Sequence, residues 1–126
     1  MRGSERDLPV AGEFATPQGP AVSRQGAWGE MNIVLERAPG GLDTAPYFRG
    51  LPDDRCQCPH WGYVVRGRLR VRYADREEVL VAGDAYYLAP GHTTYTEEAT
   101  ELVEFSPLGA YQRTMAAVAR NVAAAP

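Results

Sequence analysis

The residues best suited to chemistry in this chain are two thiols and two imidazoles. Its 126 residues include only two cysteines and two histidines. Both cysteines and one histidine fall in the run Cys56-Gln57-Cys58-Pro59-His60, and the other histidine is His92. Thiolate sulfur and imidazole nitrogen are good ligands for zinc, iron or copper. In an extended segment, residues 56, 58 and 60 project to one face. Along a straight strand the outer two sit roughly 13 Å apart at the backbone, so the three side chains cannot converge on one ion. Either the strand bends at Pro59 or only part of the set binds. The competing reading is plain burial, because cysteine is often buried without binding anything.

The composition narrows the setting for these residues. One domain fits the length, and a core can form at this size without disulfide or metal staples. Hydrophobic residues make up 44% and charged residues 23%, as in ordinary globular proteins. The net charge of −3 gives no electrostatic footprint for nucleic acid. No apolar run is long enough for a membrane span. Arg2, Glu5, Arg6 and Asp7 are followed by no apolar stretch, so a secretory signal is not expected. Cysteines at i and i+2 make no disulfide framework, which points to reduced thiols and a cytoplasmic location.

The elements that must position the four residues are mostly short strands. Residues 1–27 are rich in Gly, Pro, Ser and charge and read as an extended, partly mobile arm that adds at most one strand. Met31, Ile33 and Leu35 alternate as a strand. Pro39-Gly40-Gly41 ends it, and a loop to Arg55 follows with at most one short strand near Tyr47-Phe48. Trp61 to Val65 is an aromatic and β-branched run. Leu69, Val71 and Tyr73 alternate with Arg68, Arg70 and Arg72, and Glu77 to Val81 returns, so 67–81 reads as a hairpin. Tyr86 to Leu88 and Leu102 to Phe105 are further strands. Seven or eight strands at close spacing suggest a sandwich or barrel. At the C-terminal end, Ser106-Pro107 reads as a helix N-cap and first-turn proline. Tyr111, Met115, Val118 and Val122 then form one apolar helix face, packed across the open end of the barrel or against a partner subunit.

The pattern around the four ligand candidates resembles the cupin superfamily. The first motif of that family closes on a glycine, and Gly62-Tyr63-Val64-Val65-Arg66-Gly67 fits its end. Counting back, His60 falls where the family has its glutamate, Cys56 on its second histidine and Asp54 on its first. The second motif begins at Gly83-Asp84 and closes with Pro90-Gly91-His92, its histidine two residues early. An offset of two keeps the same strand face. The run Cys-x-x-x-His-x-Gly-Tyr-Val, followed by Pro-Gly-His, is similar to a variant found among small bacterial cupins. The likeness covers about residues 50 to 105.

The resemblance implies an all-β, cupin-type antiparallel β-barrel, jelly-roll-like, over residues 28–106, with a C-terminal α-helix over 107–126. It implies one divalent transition metal whose candidate ligands are Cys56, Cys58, His60 and His92, with Cys58 the extra element beside the family's pattern. Loss of carboxylate and gain of thiol favour zinc, then iron or copper. Tyr63 or Tyr95, if inward, could donate a proton near the metal, and no further organic cofactor is expected. Two functions stay open: a metal-dependent lyase, isomerase, cyclase or oxygenase acting on a small molecule, or a binding or sensor module with a closed structural zinc site. The number of protein ligands separates them. A homodimer is expected, with no nucleic-acid or membrane partner.

Three further groups read as structural. Glu97-Glu98 is expected to be a solvated loop. Glu104, flanked by Val103 and Phe105, is expected to face solvent or to pair with an arginine of the 68–72 strand. Arg68, Arg70 and Arg72 read as a solvated sheet face, paired with Glu77 across the hairpin. Among Trp61, Tyr63, Tyr86, Tyr87 and Tyr95, most are expected to fill the core, and a few to line a small-molecule pocket.

Overall fold

Strict alternation along Arg68–Arg72 and the return at Glu77–Val81 produce the hairpin that organises one of two sheets. In the computed structural model, which describes residues 1–124, the strands are β1 (Val10–Thr16), β2 (Gly19–Trp28), β3 (Met31–Ala38), β4 (His60–Arg66), β5 (Arg68–Arg72), β6 (Glu77–Val81), β7 (Ala85–Leu88), β8 (Thr93–Thr96) and β9 (Thr100–Pro107). A helix, α1 (Leu108–Ala124), follows the last strand. A six-stranded sheet runs in the order β1-β2-β3-β9-β4-β7 and a three-stranded sheet in the order β6-β5-β8. Every strand pairing within them is antiparallel. The sheets face each other as a jelly-roll-like sandwich. Val64, Tyr86, Leu88 and Leu102 from the larger sheet meet Leu69, Val71 and Leu80 from the smaller one in the main core.

Two glycines let the site-bearing strand β4 fit its neighbours. Gly67 turns the chain between the sheets at φ +102°, and a Cβ there would run into the Ala99 carbonyl and Thr100. That is the left-handed region where glycine carries no steric penalty. At Gly62 a Cβ would collide with the Tyr86 ring and lie 2.6 Å from the Val103 carbonyl oxygen. The missing side chain is the space in which Tyr86 lies.

Several expectations are corrected here. The stretch 1–27 supplies two strands of the larger sheet, β1 and β2, rather than a loose arm with one strand. Gly19, at φ +122°, ends the tight turn between them, where the Thr16 hydroxyl donates to the Gly19 carbonyl at 2.6 Å. The sheet assembly therefore begins at Val10 rather than at residue 28. Tyr47-Phe48 lies in a 3-10 turn, Ala45–Phe48, not a strand. The threonine-rich β8 had no apolar alternation to announce it. Ser106 and Pro107 complete β9 instead of capping the helix, and the Leu108 N–H donates to the Glu30 carbonyl at 2.9 Å. Positions 125–126 of the expected helix lie outside the described residues. On α1, Val118 is buried but Val122 is exposed. Asn121 takes the inward place, donating to the carbonyls of Tyr47 (2.7 Å) and Arg49 (3.0 Å). The helix is thereby pinned over one end of the sandwich.

Candidate metal centre

Cys56 pairs with His92, the residue before β8, whereas His60 lies in the larger sheet, which is how one short segment brings both to one point. Cys56 forms an isolated antiparallel bridge with His92, its N–H donating to the His92 carbonyl at 2.9 Å. The Gly91 N–H donates back to the Cys56 carbonyl at 2.7 Å. His60 opens β4 in the larger sheet. Residues 57–59 cross between the two, so the segment does bend, and the separation along a straight strand no longer applies. The Cys56 sulfur ends 3.5 Å from His60 Nε2. Cys56, His60 and His92 are all buried, and each offers one donor atom within 4.8 Å of the others.

Both imidazoles are oriented by their second nitrogen. His92 Nδ1 lies 2.6 Å from the Ala89 carbonyl, which only accepts, so Nδ1 carries the proton and Nε2 has a free lone pair. His60 Nδ1 is 2.6 Å from the Ser106 hydroxyl, leaving Nε2 toward Cys56. Metal-binding histidines are usually anchored in this way. Burial lowers both histidines to about 4, so they are neutral ligands at pH 7. Burial pushes the Cys56 thiol up to about 12. It stays protonated until a metal ion displaces the proton, as coordinating thiols do. The donor set thus suits a soft or borderline divalent ion.

Cys58 is fully buried but is not in this group. Its sulfur donates to the Pro59 carbonyl at 3.4 Å. Burial raises its thiol to about 11, with a hydrogen bond from Ser106 acting the other way. The bend that joins Cys56 to His60 turns residue 58 away from the cluster, so the expected alignment of 56, 58 and 60 on one face does not form. Asp54 is exposed, and its carboxylate caps the Gly50 N–H at 2.9 Å.

The three donors line a cavity of about 120 Å³ between the sheets, with Phe14 of β1 and Tyr111, Met115 and Val118 of α1 also on its wall. Tyr63 and Tyr95 do not reach it. Tyr63 is 47% exposed on the outer face of β4, because His60 and Val64 take the inward positions. Thr94 and Thr96 face the cavity, so Tyr95 points outward and the Arg72 guanidinium lies 5.5 Å from its ring. The inward tyrosines are Tyr47 and Tyr111, which line the cavity, and Tyr73 and Tyr86 in the core.

Two glutamates were missed. Glu104 does not face solvent; it lines the cavity. It accepts a 2.8 Å hydrogen bond from the Tyr86 hydroxyl, and its other oxygen is 3.5 Å from His60 Nδ1. Burial raises its carboxyl to about 7 despite that bond. Glu36 also lines the cavity, raised to about 7 by burial and then by Glu104. The overlooked signal was strand parity: Glu36 shares a face with Val34, and Glu104 with Leu102 and Ser106. The expected arginine face does form, with Arg70 2.8 Å from Glu77. Glu97 is not a free loop residue; it pairs with both Arg68 and Arg70.

This architecture is the cupin fold. An RmlC-like cupin from Shewanella frigidimarina superposes with a TM-score of 0.58 at 16% identity, covering 83% of this chain and 87% of that one. The EutQ protein of Clostridium difficile gives 0.56 at 13% identity, with 86% and 82% covered. The Fe(II) form of HppE gives 0.56 at 10% identity, with 84% and 59% covered. No protein-family profile and no curated protein matches the chain. No described helix is long and apolar enough to cross a membrane.

Proposed function

We propose that the chain is a metal-dependent cupin that processes a small molecule in its cavity, with Cys56, His60 and His92 as the protein ligands. The carrying observation is the count of donors. Three buried side chains converge, and the fourth candidate, Cys58, has its sulfur turned to the Pro59 carbonyl. A three-ligand shell leaves a position for substrate or water, as in catalytic zinc sites, whereas a structural site is closed by four. Zinc suits the donors best, then iron or copper. A bound ion would act there as a Lewis acid or lower the pKa of a bound water. Ser106 and the Ala89 carbonyl hold the two rings. Glu104, beside His60 and held by Tyr86, is placed to accept or hold a proton at Oε2.

The test is elemental analysis of protein purified without a histidine tag. About one metal per chain is expected for a single three-ligand site, and Cys56→Ala and His92→Ala should each lose it. Absence of metal after reconstitution with zinc, iron and copper would end this reading.

A further inference from the structure

The charge of the cavity lining points to the kind of ligand it takes. Among the described residues, the lining contains Glu36 and Glu104 but no arginine, and the chain has no lysine. Glu104 is satisfied by Tyr86. The Glu36 carboxylate has no hydrogen bond or ion pair among the described residues, and Glu36 is partly buried on the wall of the cavity. A buried carboxylate without a partner is costly, and natural interiors pair such groups. A metal ion at the three-donor site does not remove the imbalance. A divalent ion with the Cys56 thiolate carries a single positive charge, which Glu104, beside His60, is placed to balance, and Glu36 is left without a counter-charge. Apart from hydroxyl side chains such as Ser23, Thr44 and Thr94, the rest of the wall is apolar and aromatic. Phe14 and Tyr47 pack with ring centroids 5.2 Å apart, and Tyr111 joins them.

We infer that the cavity binds a small organic cation, its positive charge against Glu36 and its apolar body against Phe14, Tyr47 and Tyr111. Aromatic faces attract such cations, most strongly where water is excluded. A cavity of about 120 Å³ is slightly smaller than the roughly 150 Å³ cavity that accepts benzene, so the ligand has about five or six heavy atoms. The upward shift of Glu36 fits a carboxylate that lacks its counter-charge. The inference rests on the cavity being the ligand site of the proposed function.

The experiment uses three probes of similar shape: tetramethylammonium and tert-butanol on the zinc-loaded and metal-free protein, and trimethylacetate on the metal-free protein alone, since its carboxylate would ligate an open zinc position. Tetramethylammonium has no lone pair, so it cannot bind by ligating the metal. Calorimetry or ligand-detected NMR should show it binding at least about tenfold more tightly than the neutral probe, a difference of one decade in Kd, with no binding of the anion. Glu36→Gln should erase that preference while the melting temperature stays equal or rises, since an unpaired buried charge is removed. Glu36→Asp should keep part of it. Equal binding of cation and alcohol, binding of the anion, or an unchanged preference in Glu36→Gln would overturn the inference. Metal content measured on the same samples separates the two proposals. A full metal complement without cation preference sinks only this one, and cation preference without metal sinks only the metal site.

Discussion

Replacing Ser106 by alanine tests whether the metal centre depends on the hydroxyl behind it. The wild-type Oγ lies 2.6 Å from His60 Nδ1, and both residues are buried. Once it is removed, the nearest recorded polar atom is Glu104 Oε2 at 3.5 Å, too far for a good hydrogen bond. An imidazole nitrogen left unpaired in the interior costs about 1–3 kcal/mol. For a chain of this size each kcal/mol moves Tm by roughly 3–5 °C, so Tm should fall by roughly 3–15 °C. Freed from its anchor, His60 can also rotate Nε2 away from Cys56. Loss of such a supporting partner typically weakens metal binding about 10–100-fold, or about 1.4–2.8 kcal/mol. The assay is zinc competition against a chromogenic chelator, on protein shown to be folded by circular dichroism. Ser106→Thr keeps the hydroxyl and should keep most of the affinity. Zinc affinity within twofold of wild type in a folded Ser106→Ala protein would refute the role given to the bond, and with it the orientation of His60.

Two further outcomes follow from the same geometry. Cys58→Ala should leave one metal per chain with affinity changed by no more than about tenfold, at the low end for a supporting residue; complete loss of metal, measured by elemental analysis, would place Cys58 in the coordination shell. In metal-free protein, stability should be nearly flat between about pH 4.5 and 6.5 in urea titrations. The two histidines, lowered from 6.5 to about 4, bind protons only when unfolded, so their contribution rises with pH across that window. The two glutamates, raised from 4.5 to about 7, bind protons only when folded, so theirs falls with pH across nearly the same window. Replacing both glutamates by glutamine should expose the histidine slope, with stability lost by about 2–3 kcal/mol per pH unit as pH falls from 6.5 toward 4. An unchanged flat profile in the double variant would show that the glutamates are not the balancing groups.

Much of the fold was legible because its signals are local. The 67–81 hairpin, the strand after His60 and the turn at Pro90-Gly91 all lie where alternation and turn residues put them. Three of the four metal candidates converge for the same reason: their positions relative to Gly67 and Gly91 are set by short elements. The bend at residues 57–59 was one of two alternatives the sequence left open, since it depends on Cys56 pairing with His92. The glutamates failed on a different ground. On β3, β4 and β9 the larger sheet is apolar on its outer face too, with Trp61, Phe105 and Leu35 in register with one another's neighbours. Alternation then fits either face, and a shift of one residue exchanges inside for outside. Reading Val103 and Phe105 as the apolar parity put Glu104 outward, the reverse of what forms, and left the side taken by Tyr63 open. Nothing in residues 10–28 alone reveals that their hairpin completes a sheet whose other strands come later in the chain.

The two-sided character of β4 has a practical consequence for optical measurement. His60 and Trp61 are adjacent in the chain yet stand on opposite sides of the sheet, and Trp61 is 45% exposed beside Tyr87. Its indole emission reports on the wetness of the outer face, at a backbone distance of one residue from the metal ligand. Acrylamide quenching of this residue senses anything that covers that face, and is blind to events that leave the outer surface unchanged. One strand therefore carries both a candidate metal ligand and, facing the other way, one of the chain's two tryptophans, so that in a Trp28→Phe background occupancy of the cavity and coverage of the sheet can be read as separate signals.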